Sequence, residues 1–205
     1  VWNDLAINLR QVGFLLSEEP YQEQYKLFCR KLLKPITLKI GWEAVSAEGH
    51  LQTLLRTTVL DSIGSFGDSD TLVEAQKRFK RLAEEPSSLT PDLRGVVYGL
   101  AAQTGDNTTH DILRRMAGEA SLQEEKVRLL MSLARFRNRQ LLERTVQMSL
   151  STEVQPQDTV TLVGAVASNQ YGGREVAWEY VKSNWEEFDR RYGSGGFAMM
   201  RLVAI

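Results

Sequence analysis

The chain is poor in the residues that do chemistry. It has one cysteine, Cys29, and two histidines, His50 and His110, far apart in sequence. A single cysteine excludes an intrachain disulfide and fits a reducing compartment such as cytosol or nucleus; the expected location is cytoplasmic. No His-Glu-x-x-His occurs and no glycine-rich phosphate loop, so the usual signatures of a zinc hydrolase or a nucleotide enzyme are missing. No apolar run approaches the roughly 20 residues that cross a bilayer, and no signal peptide is visible. With 25 Lys+Arg against 26 Asp+Glu, no global field draws the chain to nucleic acid or acidic lipid. It begins with Val rather than Met, and Val1–Leu16 already reads like the middle of a helical fold. The expectation is a piece of something larger, whose chemistry sits elsewhere.

What is present is helical rhythm. Apolar residues recur at three- and four-residue intervals, and strand-like alternation is rare. Leu5, Leu9, Val12 and Leu16 make one stripe; Tyr25, Phe28, Leu32 and Leu33 make the next. Pro35 is predicted to kink or end that segment, since it removes an amide donor and crowds the preceding turn. Leu51, Leu54, Leu55, Thr58, Val59 and Ile63 follow, up to Gly64 and Gly67. Asp70 or Thr71 opens the next helix, Thr90-Pro91 another, and Asn107 or Thr108 a third. Ser121-Leu122-Gln123-Glu124 reads as a capping box. A break near Asn138 precedes Leu141–Leu150, and Pro156 opens a small-residue stretch from Val160 to Ala167. Gly172-Gly173 precedes Val176–Phe188, and Gly193 to Gly196 precede a last segment, Phe197–Ile205. Helix plus turn recurs every 15–21 residues or so, and pairs at about 35–40, the spacing of HEAT- or armadillo-type hairpins. The predicted fold is all-α, an irregular α-α superhelix of stacked antiparallel helical hairpins, one domain over 1–205. A plain helical bundle is the alternative.

No residue stands out as catalytic, metal-binding or cofactor-binding. His50 lacks nearby partners for zinc and reads as a capping or surface residue. His110 and Asp111 are neighbours that point to different helix faces, so they do not read as an acid–base dyad. Cys29 shares a stripe with Tyr25 and Leu32 and reads as core. Trp178, Val181, Trp185 and Phe188 fall on one helical face. That face is predicted to pack in the core against Val160–Ala167, with Gly164, Ala165, Ala167 and Ser168 allowing close approach. Basic residues cluster at Lys77, Arg78, Lys80 and Arg81, at Arg114 and Arg115, and at Arg135, Arg137 and Arg139. The default is a solvated face. The functional reading is an arginine that grips a carboxylate, such as a peptide C-terminus; periodicity does not choose which one, so substrate-binding residues stay unassigned.

Several longer runs carry a resemblance. They are Val1-Trp2-Asn3-Asp4-Leu5, Gly41-Trp42-Glu43, and Glu48-Gly49-His50-Leu51 with Leu54-Leu55-Arg56. Asp92-Leu93-Arg94 with Val97-Tyr98, and Gln123-Glu124-Glu125-Lys126, follow. The strongest is Val154-Gln155-Pro156-Gln157-Asp158-Thr159-Val160, with Gly173-Arg174, Ala177-Trp178 and Asn184-Trp185-Glu186-Glu187. In this order the chain resembles the C-terminal helical domain of the puromycin-sensitive aminopeptidases, zinc-dependent gluzincins. The resemblance implies a parent whose separate catalytic domain holds zinc through His-Glu-x-x-His and a downstream Glu, and grips the substrate amine with Gly-x-Met-Glu-Asn. Gly196-Phe197-Ala198-Met199-Met200 lacks the Glu-Asn and is not that motif. The resembling domain covers the catalytic domain like a bowl and limits substrates to peptides that fit inside. Its implied partners are that catalytic domain and peptide substrates, with no nucleic acid and no membrane.

Three readings follow: a substrate-enclosing domain of a cytoplasmic zinc aminopeptidase, inactive alone; a freestanding helical scaffold that binds a protein partner; or a small helical enzyme with an unrecognised site.

Overall fold

Three- and four-residue apolar spacing buries one stripe of each helix and leaves the turns to glycine, proline and capping side chains. A computed structural model of the chain describes residues 1–45, 48–194 and 197–204. Among these, α1 is Trp2–Leu15, α2 Gln22–Ile40, α3 His50–Ser65, α4 Ser69–Glu84, α5 Pro91–Thr104 and α6 Asn107–Glu119. Then come α7 Gln123–Leu133, α8 Arg139–Met148, α9 Pro156–Ala167, α10 Gly173–Ser183, α11 Trp185–Tyr192 and α12 Phe197–Val203. No strand occurs among the described residues, and no described helix is long and apolar enough to cross a membrane. Within the expected glycine break, positions 195 and 196 lie outside the described residues, as does Ile205 at the end of the last segment.

The packing forms two compact units, Val1–Ala101 and Ala102–Ile205. In the first, α1 packs on α2 and α3, α2 on α3, and α3 on α4. In the second, α6 packs on α7, α7 on α8 and α9, α8 on α9 and α10, and α9 on α10. Within each unit, helices next in sequence or next but one thus pack together, which is how helical hairpins stack. The all-α hairpin class read from the spacing is the observed one. In the first unit Leu9, Cys29, Leu33, Ile63 and Phe66 form a buried cluster, with Trp2, Leu5 and Tyr25 packed against it.

Local chemistry explains several helix starts. Asp68 caps α4, its Oδ1 accepting from the Thr71 amide at 3.1 Å, so the helix opens just before Asp70. Asp106 caps α6 through Thr109 in the same way. Asn138 caps α8, and Pro156 stands in the first turn of α9.

Four expectations need correction. First, of the two outcomes expected at Pro35, the helix end is not observed: α2 continues to Ile40. The turn beyond the proline is tied from outside: Arg56 donates from Nη2 to the Ile40 carbonyl and from Nε to the Gly41 carbonyl, both at 3.1 Å. Second, the capping box does not form. Leu122 takes the cap position of α7, with no side-chain cap. Third, two stripes are rotated. In α2 the buried residues are Cys29, Leu33 and Thr37, while Phe28 is exposed; in α3 Leu51 and Leu54 are exposed, and Arg56, Val59, Leu60 and Ile63 are inside.

Fourth, the Trp178–Phe188 face is not continuous. Asn184, at φ −119° and ψ 24°, separates α10 from α11 and donates from Nδ2 to the Tyr180 carbonyl at 2.8 Å. Val181 and Phe188 are fully buried, whereas Trp178 and Trp185 are 37% and 41% exposed. Gly164 does not serve the α9–α10 approach either, since a methyl group there would meet nothing within 4 Å. Gly173 does: a Cβ at that position would lie 2.0 Å from the Val166 carbonyl oxygen.

Candidate functional site

The residues able to do chemistry are mostly engaged in structure. Cys29 is buried, and burial raises its thiol above the ordinary range, which keeps it from being a thiolate. His50 is exposed at the start of α3. His110 is buried completely, with Nε2 3.1 Å from the Thr145 hydroxyl. That hydroxyl donates to the Leu141 carbonyl at 2.8 Å, so it accepts from His110 and fixes the Nε2–H tautomer. Desolvation, aided by the Arg144 charge, lowers the His110 pKa to about 4. Its Nδ1 stands 3.9 Å from Asp111, too far for a hydrogen bond, and Asp111 is taken by Arg144 at 2.6 Å. No acid–base dyad is assembled.

Among the described residues no group of three or more His, Cys, Asp or Glu could hold a metal ion. The residues present therefore do not fit the zinc of the resembling enzymes, and no step here passes through it.

The arginine clusters sort by their partners. Lys77 and Arg78 meet Glu74, Arg81 meets Glu85, Arg115 meets Glu119 and Arg139 meets Glu143, all one helical turn apart. Arg78 also reaches Glu43 at 2.5 Å and lies 5.0 Å from the centre of the Trp42 ring. Arg114 holds Glu153 with two parallel hydrogen bonds, 2.7 and 2.6 Å, which lower the Glu153 carboxyl below its usual range. Arg137 differs. It is exposed, its guanidinium lies 4.8 Å over the Tyr171 ring, and it has no carboxylate partner among the described residues.

Asn169 builds that arrangement. Its Nδ2 donates to the carbonyls of Ala134 and Phe136, at 2.7 and 2.8 Å, and its Oδ1 accepts from the Tyr171 amide at 2.8 Å. The turn before α8 is thereby latched to the turn before α10. Gly172, in the left-handed region at φ +82°, starts α10, and a Cβ there would lie 3.9 Å from Arg139 Nη1. The helices run side by side in one direction, meeting again where the Tyr180 hydroxyl approaches the Gln147 carbonyl at 3.4 Å. Between them lies a groove of about 190 Å³, lined by Arg139, Glu143, Val146 and Gln147 on one wall and Val176, Glu179, Tyr180 and Ser183 on the other. A trough of this kind can seat an extended chain, and the stacked guanidinium of Arg137, two residues before the Arg139 of its wall, can hold a carboxylate.

Sequence reasoning missed two features. One is Arg56, buried with Glu48 at 3% and 4% side-chain exposure and hydrogen-bonded to both its carboxylate oxygens. The signal was legible: Arg56 lies three, four and seven residues before Val59, Leu60 and Ile63, so it shares their stripe. The other is Asn169, whose part is a pairing of two turns that local sequence does not mark.

The ERAP1-like C-terminal domain family model matches residues 1–205. Aminopeptidase M1-A of Oryza sativa subsp. japonica is 36% identical over 166 residues, covering 78% of this chain and 19% of that protein. Aminopeptidase M1 of Arabidopsis thaliana is 33% identical over 171 residues, 81% of this chain and 19% of the relative. Glutamyl aminopeptidase of Bos taurus is 32% identical over 180 residues, 87% and 18%. The chain spans about a fifth of the length of these curated relatives. Matched from its first residue to its last, it belongs to the ERAP1-like C-terminal domain family.

Proposed function

We propose that the chain is the C-terminal, substrate-enclosing domain of a zinc-dependent aminopeptidase that removes N-terminal residues from peptides. The observation that carries this is the full-length family match, together with relatives named aminopeptidases in which the matched stretch is about a fifth of the length. Residues 1–205 act as one domain in this reading. Zinc and the bond-breaking groups belong to the catalytic domain of the same parent chain, which is the principal partner; peptides are the other. This domain contributes surface. The trough between α8 and α10, with Arg137 two residues before the Arg139 of its wall, supports a contact for the far end of a bound peptide. The finer assignment is to the puromycin-sensitive type, acting in the cytoplasm, on the strength of the ordered runs quoted above.

The test is the parent enzyme. The complete chain should bind zinc and hydrolyse aminoacyl-arylamides, and puromycin should inhibit it; residues 1–205 alone should do neither reaction nor metal binding. In the complete chain, Arg137→Ala should raise KM for longer peptides about tenfold, the weight of one charged hydrogen bond, and leave the arylamide rate unchanged. Turnover by the isolated domain, or tight capture of a protein partner without any peptidase activity in the parent, overturns the assignment.

A further inference from the structure

Ten of the nineteen large hydrophobic side chains that stand exposed among the described residues fall in the first 38 positions. On α2 they are in register. Leu27, Phe28, Leu32 and Leu38 are 44, 54, 36 and 73% exposed. They lie on the side opposite Cys29, Leu33 and Thr37, which are buried. The outer side thus presents four large apolar side chains, with Lys31 and Lys39 exposed among them. On α5, by contrast, Leu93, Val96, Val97, Tyr98 and Leu100 are at most 7% exposed. Large exposed apolar side chains grouped on one side of a helix and bordered by polar ones mark an interface.

We infer that the outer face of α2 is a docking surface for the parent-chain segment that precedes Val1. The inference rests on the proposed function and adds the surface through which the rest of the enzyme holds this domain. Two observations favour that occupant over a second copy or another protein. The family is a C-terminal domain, and about four-fifths of each relative lies outside the matched region. A segment joined to Val1 also starts beside α1, which packs directly on α2. Tethering gives it a high effective concentration at this face that a free partner lacks.

The test uses the complete parent chain. Phe28→Cys and, separately, Leu38→Cys are labelled with a maleimide, and modification at each site is read by peptide mass spectrometry. Each rate is divided by that of the same variant unfolded in urea. Both sites should label at least about tenfold more slowly in the folded parent, at every protein concentration and without lipid. Labelling within about twofold of the unfolded rate at both sites overturns the inference. So does protection that vanishes on dilution, which means a second copy covers the face, or protection that needs vesicles, which means a membrane does. Labelling is read independently of turnover. A parent that protects these sites but cleaves no peptide would sink the enzymatic reading and leave the docking surface standing.

Discussion

The two units handle a polar group in their interiors in opposite ways. The first buries charge: Arg56 and Glu48 are almost fully enclosed, and the guanidinium is satisfied by both carboxylate oxygens and two backbone carbonyls. The second buries a titratable group that gives up its charge: His110 sits at zero exposure and stays neutral to about pH 4. A buried charge persists only with a full set of partners, and a group with one hydrogen bond sheds its proton instead. An ion pair of the second unit, Arg114–Glu153, stays at the surface, with side chains 42% and 39% exposed.

The largest effect should come from breaking the buried pair. Arg56→Ala leaves Glu48 charged and enclosed and removes the donors that hold the end of α2. The expected loss exceeds that for any exposed pair of the chain, because it orphans one member of an enclosed pair, and it is read by urea unfolding. Arg56→Lys should recover little of it, since an ammonium lacks the planar fork that serves a carboxylate and two carbonyls at once. Glu48 has its pKa lowered, chiefly by the Arg56 hydrogen bonds. Its contribution is therefore present above the ordinary Glu range and lost as pH falls through the lowered value.

His110 predicts a different pH window. In the unfolded chain it titrates near the ordinary 6.5, and in the folded chain near 4. Between these values only the unfolded chain binds the proton, so stability is full above about pH 6.5 and falls as pH drops toward 4. The loss over that window is about 3 kcal/mol, at 1.36 kcal/mol for each pH unit of separation. Urea midpoints measured from pH 7 to pH 4.5 should show this slope, and His110→Gln should flatten it. A slope that survives the substitution would assign the proton uptake elsewhere and remove half of the contrast between the units.

Helix existence was legible in the sequence wherever punctuation was chemical. Thr90-Pro91, Asn138, Pro156 and Gly172-Gly173 all mark observed boundaries. What failed was direction. The Trp178–Phe188 face was drawn on one straight helix, and Asn184 ends that helix by capping it. Pro35 was expected to kink or end α2, and the helix runs on past it to Ile40, whose carbonyl Arg56 holds from sixteen residues away. Gly164 was assigned a close approach that belongs to Gly173, because close approach depends on which backbone lies opposite. Arginine clusters were visible as clusters, but whether each guanidinium meets a carboxylate or an aromatic ring is decided by turns latched together across more than thirty residues, as Asn169 does for Arg137. Local pattern carries periodicity and caps; it does not carry contacts between turns distant in sequence.

The smallest predicted effect is the sharpest check on the comparison. Arg114 and Glu153 share the two-pronged geometry of Arg56 and Glu48, so an argument from the hydrogen bonds between the two partners alone would rank the pairs alike. Burial ranks them differently. When Arg114 is replaced by alanine, Glu153 is left where water reaches it, and its carboxylate is hydrated rather than orphaned. The expected loss is at most about 1 kcal/mol, shrinking further in high salt. A loss for Arg114→Ala equal to that for Arg56→Ala, measured in the same buffer, would mean that geometry and not enclosure sets the worth of these pairs, and the contrast drawn between the two units would collapse.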